Sequence, residues 1–335
     1  MWCKRGVNRL AFSGLIAALV VGSAACAHAP AATTTATTST SEPPSAPRRQ
    51  KPDEIIAGFT KKHPLSAPDD PLRRPKSIVD CDAILHLDQI DLFQGAVDFL
   101  AKQQGADALT LRAQIEIAYS EAQLVVAEVI AESADGLESV IRTLRFRAES
   151  GKTSDEEKAK RAELESTFHD ARDVAWALRE LAADHACNGA TVAQMIMASK
   201  EKSYRGYRVA ADYHRLRGDW DDFAEDLNYL ARENPTSNGL VFLRAIAAQA
   251  EGESDTAVKL YRDALVRDPK FVRAQAHIVL LQTSPERAHT ELARLAELNP
   301  HHQLITYAGP FIEEAHKAWT AEHKNPSRWG QTTNL

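Results

Sequence analysis

From residue 81 onward the chain carries almost no β-strand signal, and nowhere does it hold a GxSxG, an HExxH, a phosphate-binding GxxxxGK[ST] loop or a dinucleotide-binding glycine pattern. The local signatures of hydrolases, zinc peptidases and nucleotide-binding proteins are therefore missing. Positive charge is not in excess either. Lys+Arg total 40 against 46 Asp+Glu, a net charge of −6, which argues against nucleic acid as the main partner. Aromatic residues make up only 7% and cysteines number four. What is present, 44% hydrophobic and 26% charged residues over 335 positions, is the average composition of a soluble globular protein with room for two folded units.

Residues 1–26 read as a signal peptide. Lys4, Arg5 and Arg9 supply a positive start, and Leu10–Val21 is an apolar stretch of twelve residues, too short to span a bilayer as a stable helix. The stretch ends in Gly22-Ser23-Ala24-Ala25-Cys26, which resembles the lipobox of bacterial lipoproteins. That resemblance implies cleavage before Cys26, a diacylglycerol on its thiol and, because Ala27 and not Asp follows, residence at the outer membrane facing the periplasm. Ser23 stands where the family prefers Leu, so an ordinary cut at Ser23-x-Ala25 or Ala25-x-Ala27 stays open. Residues 27–80 contain six Thr between Thr33 and Thr40 and nine of the fifteen prolines. Such a segment buries too little apolar surface to offset its ordering entropy, and is expected to be a disordered tether with at most a turn or two of helix over Asp53–Lys62. Its basic pairs, Arg48-Arg49, Lys61-Lys62 and Arg73-Arg74, read as solvated linker or as contacts to anionic lipid.

Residues 81–200 read as a helical domain. Ile90, Phe93, Val97 and Leu100 define a short helix stopped by Gly105. Leu111, Ile115, Ala118, Ala122, Val125 and Val129 step by threes and fours, and Leu137, Val140 and Leu144 resume the stripe past an expected irregularity at Gly136. Ser154 and Glu157 form a capping box, followed by Leu164, Phe168, Ala171, Ala175, Leu178 and Ala182 up to an expected stop at Asn188-Gly189. Two such stripes predict an antiparallel hairpin of roughly 50 Å.

Residues 201–335 carry a repeat. Gly218 and Gly252 lie 34 apart, and so do Pro235 and Pro269. With Ala257, Tyr261, Ala264 and Pro269 in one copy, Phe223, Leu227 and Leu230 in another, and Ala288, Leu292, Leu295 and Pro300 in a shortened third, this segment resembles the tetratricopeptide repeat family. The resemblance implies stacked helical pairs, a capping helix over Gln303–Glu322, and peptide or protein binding. On its geometry the first helix of each pair lines a concave face with Arg205, Arg208, Asp212, Arg215, Phe242, Ile246, Gln249, Arg273 and His277. Such a face suits an acidic or C-terminal peptide, and solvated helix surface is the alternative.

The fold class expected is therefore all-α, a long antiparallel hairpin followed by a short solenoid. No catalytic residue, cofactor or metal is assigned, and His301, His302, His316 and His323 read as surface histidines. With Cys3 removed and Cys26 lipidated, Cys81 and Cys187 are left in an oxidising compartment, where a disulfide or two separate thiols are open. The function expected is non-enzymatic binding or scaffolding of other envelope proteins or peptides. The alternatives are a cell-wall-modifying hydrolase, marked by a raised carboxylate among Glu116, Glu128 and Glu132, and a solute-binding partner of a transporter.

Overall fold

The computed structural model describes residues 50–63, 70–150, 153–198 and 203–323. Among them are twelve α-helices and no strand. Cys26, the expected lipid site, lies outside the described residues.

The first helix, α1 (Pro52–Lys62), corrects the reading of a disordered tether for the described residues 50–63, while residues 27–49 of that expected tether lie outside the described residues. Pro52 opens it, Asp53 and Glu54 favour its dipole, and Phe59 is buried against Tyr307 and Phe311 with ring centroids 5.7 and 5.6 Å apart. One aromatic anchor thus docks three turns of helix that propensity alone would leave marginal. A 3₁₀ turn (Pro71–Arg73) leads to α2 (Ile78–Leu87), whose N-terminus is closed by a capping box of Ser77 and Asp80. Asp88 ends α2 in the left-handed region at φ 53°, and α3 (Ile90–Leu100) follows at once.

The hairpin consists of α4 (Ala106–Glu149) and α5 (Asp155–Ala198), 44 residues each, so its arms are about 66 Å long and exceed the expected length. The Ser154–Glu157 capping box forms as the sequence implied, with amide-to-oxygen distances of 3.1 and 3.2 Å. Gly136 causes no break. A Cβ there would meet Pro285 and Ala315 at ordinary contact distances of 3.7 and 3.8 Å. Gly189 does not stop α5 either: α4 packs tightly against it, and a Cβ there would lie 2.8 Å from Ile117 Cγ1 and 3.2 Å from the Ile117 backbone nitrogen. Gly189→Ala should therefore lower the unfolding free energy by about 1–3 kcal/mol, although alanine in an open helix would gain about 1 kcal/mol. Urea denaturation measures this, and a stabilised variant would contradict the close approach.

Three helical pairs follow: α6 (Tyr204–Arg217) with α7 (Trp220–Glu233), α8 (Asn238–Ala250) with α9 (Ser254–Arg267), and α10 (Val272–Leu280) with α11 (Pro285–Leu298). Their first helices begin at 204, 238 and 272, so the 34-residue period of the sequence is a period of the structure. Gly218 and Gly252 make the tight turns inside the pairs at φ 73° and 81°, a conformation that glycine adopts without strain. Ala257, Tyr261 and Ala264 are fully buried between neighbours. A π-helical turn (Leu304–Ala308) and α12 (Gly309–His323) close the array and return to α4.

The expected Cys81–Cys187 disulfide does not form: Cys81 is a free thiol. It points from α2 into the apolar core shared with α3 and α4, whereas Cys187 stands on α5. Burial pushes the Cys81 thiol up to about 11, which keeps it unreactive at neutral pH.

Candidate functional site

The described solenoid brings together most of the residues expected to line its concave face, and it closes that face with the hairpin's own helix. Residues 115–127 of α4 are buried on every side except at half-buried Tyr119. A helix enclosed all round is the centre of an assembly and not one wall of it. It contacts α5, α6, α10 and α12.

The contact is ionic and dry. Glu121, 2% exposed, accepts hydrogen bonds on Oε2 from Arg215 Nη2 at 2.9 Å and Arg273 Nη2 at 2.6 Å, and on Oε1 from His277 Nε2 at 2.9 Å. Burial by itself would raise the Glu121 pKa, but the two guanidiniums and the imidazole outweigh it and hold the carboxyl well below the usual carboxylate range. Further polar contacts surround this centre, although Arg215 Nε and Nη1 and Asp88 Oδ1 are buried without a hydrogen-bond partner. His277 Nδ1 lies 3.2 Å from Gln249 Oε1 and 3.1 Å from the Tyr261 oxygen, and Tyr261 donates to Gln249 Oε1 at 2.8 Å. Asp212 accepts from Arg215 at 3.3 Å and from Arg208 at 3.2 Å.

From the other side comes Asp88, whose left-handed backbone turns its carboxylate inward to Arg273 Nε at 3.6 Å. Asp tolerates that conformation better than most residues. His302 reaches Asp88 through Nε2 at 3.3 Å, and its tautomer is set by the Leu304 amide, which donates to Nδ1 at 3.2 Å. His302 is thus buried, and the reading of it as a surface histidine is corrected. Only a void of about 10 Å³ is left among Asp88, Glu121, Arg273, His277, His302 and Gln303.

Of the six residues singled out for partner binding, Arg215, Arg273 and His277 are therefore internal partners of Glu121. Phe242 is buried too, with the Arg273 guanidinium 5.1 Å from its ring centroid and Tyr261, Phe271 and His277 around it. Arg208 is half-buried and spent on Asp212. Only Arg205 is exposed, paired with Asp107 at the start of α4. The expectation of a free basic groove is corrected for a physical reason: the acidic ligand it suits is supplied by the same chain. Sequence reasoning missed Glu121 and Asp88, the two carboxylates that complete the cluster. The available signal was the run Ile115–Ala127, mostly small or apolar around the whole helix and not along one stripe, with the two carboxylates Glu116 and Glu121 inside it.

The glutamates proposed as marks of an enzyme are paired as well. Glu116, 1% exposed, meets His185 Nδ1 at 2.7 Å beneath the stacked ring of Tyr119, and Glu128 accepts from Arg179 at 2.9 Å. Among the described residues no group of three or more His, Cys, Asp or Glu is placed to hold a metal ion, and no helix is long and apolar enough to cross a membrane. Comparison with protein families, curated proteins and solved structures finds no match to this chain. The functional argument rests on the site alone.

Proposed function

We propose that the protein is a non-enzymatic scaffold of the bacterial cell envelope, an outer-membrane lipoprotein held by a lipid on Cys26 that presents tetratricopeptide-like helical pairs to other proteins of the periplasm. The observation that carries this reading is the array of three helical pairs at a 34-residue period, tied by a buried ionic centre to a 66 Å hairpin. A long body of that kind offers an extended outer surface. Since the inner face is filled by α4, partners are assigned to the outside. There Val79, Phe146, Met195 and Val266 are the large apolar side chains most exposed to solvent, between 57% and 81%. The hydrolase alternative needs a general acid with a raised pKa in an open cleft, and Glu121, enclosed and shifted downward, is not that acid.

The test is site-specific photocrosslinking in living cells from positions 79, 146, 195 and 266. Envelope proteins captured from some positions and not from others are expected. In Cys26→Ser, membrane fractionation and palmitate labelling should both be lost, and unchanged labelling would contradict the anchor. Absence of any capture, together with release of soluble fragments from cell-wall sacculi by the purified protein, would put the hydrolase in place of the scaffold.

A further inference from the structure

Helix α1 is joined to the rest of the body by apolar contact alone. Its polar contacts close on the helix itself: the Lys51 amide donates to Glu54 at 3.2 Å, and Thr60 donates to the Ile56 carbonyl at 2.7 Å. Among the described residues no hydrogen bond or ion pair reaches from residues 51–63 to another element. What holds the helix is Phe59, its one buried side chain, stacked on Tyr307 and Phe311, with Ile55 and Ile56 partly buried beside it. The neighbouring segments are fastened differently. Arg73 pairs with Asp91 at 2.7 Å ahead of α2, and the Leu87 carbonyl of α2 accepts from Asn299 at 3.4 Å. Helix α12 is tied to the hairpin by Arg147 with Glu322 at 2.9 Å and by Lys160 with Glu314 at 3.6 Å.

Nor does α1 lie flush on its neighbours. A cleft of about 440 Å³ is left between α1, α5 and α12, lined by Ile55, Gly58 and Phe59 on one side and by Asp173, Val174 and Phe311 on the other. The burial of one aromatic ring and parts of two isoleucines is thus set against the ordering of eleven residues, and a helix of that length does not hold in water by itself. Docking and folding of α1 are therefore one event, and where the contact breaks the helix melts. We propose that α1 is a releasable strap, which leaves α5 and α12 and unfolds as a unit while the hairpin and the solenoid stay folded. Segments with few buried contacts open in this way far more often than the core does. Release turns about 16 Å of helix into as much as about 38 Å of extended chain. On the anchored reading proposed above, that change adds about 20 Å to the reach of the body from the membrane, while the release itself does not depend on the anchor.

Hydrogen–deuterium exchange of the full mature chain in solution, read by mass spectrometry at neutral pH, tests the strap separately from the anchor. After correction for intrinsic rates, peptides within 52–62 should exchange at least about a hundredfold faster than peptides within 171–182 of α5. Raising NaCl to about 0.5 M should not speed α1, because no ion pair holds it. Phe59→Ala should bring 52–62 to the rate of unstructured peptide and leave peptides within 137–144 of α4 and 257–264 of α9 within about twofold of the wild type. Protection of α1 equal to that of α5 in the wild type overturns the proposal. So does a loss of protection throughout the chain in Phe59→Ala, which would make α1 part of one cooperative core.

Discussion

Glu121→Ala is expected to lower the unfolding free energy by about 3–5 kcal/mol, the largest loss of any single truncation in the interface between hairpin and solenoid. The reason is not that the ion pairs are individually strong. The substitution leaves Arg215 and Arg273, 1% and 9% exposed, in a dry site with Asp212 and Asp88 as their remaining counter-charges. Urea or thermal denaturation measures the effect, and a loss below about 1 kcal/mol would mean that the cluster is solvated. The same carboxylate gives a pH dependence of known sign. Its pKa is depressed in the folded state relative to an ordinary value of 4.5, so its stabilising contribution is complete above about pH 4.5. Below that pH the unfolded chain takes up the proton first, and the contribution falls away until the folded carboxyl titrates well below it. Glu121→Ala should thus flatten the acid limb of the wild-type stability curve and leave the neutral to alkaline limb parallel.

The second large effect is expected at Ala264→Arg. Ala264 is fully buried on α9 at a position where the repeat requires a small side chain. An arginine there must either bury an unpaired charge or wedge the pairs apart, at a cost of about 4 kcal/mol or more. Val266→Arg is the control, because Val266 is 81% exposed only two residues away and should change stability by less than about 0.5 kcal/mol. Similar denaturation midpoints for the two variants would contradict the packing of α9 between its neighbours.

How far the sequence was legible follows from how local each signal is. Helix ends written in neighbouring residues were readable: Ser154 with Glu157, Ser284 before Pro285, and the glycines at 218 and 252 all act where the sequence places them. The repeat period was readable for the same reason, since every pair repeats one local rule. Gly189 was misread because a glycine at a helix stop and a glycine at a helix crossing look alike along the chain. Only the position of Ile117, 72 residues earlier, separates the two. The docking of α1 was understated because its anchor, Phe59, meets Tyr307 and Phe311 almost 250 residues away. The candidate site was half legible. Arg215, Phe242, Arg273 and His277 do share one face, but nothing in their own segment says that Glu121, 94 residues before Arg215, already occupies it. Charge complementarity was read correctly in kind and assigned to the wrong molecule.

The claim on which the account turns is that Glu121 of the hairpin is bound by the inner face of the solenoid. A double-mutant cycle between Glu121→Ala and Arg273→Ala measures that contact, because each single truncation costs the remaining residue one charged partner, a loss that the double variant does not suffer twice. The account predicts a coupling energy of about 1.5–3 kcal/mol, with the double variant less destabilised than the sum of the single ones. A coupling within about 0.5 kcal/mol of zero would mean that the two residues do not meet, and the groove would again be open to a partner from outside.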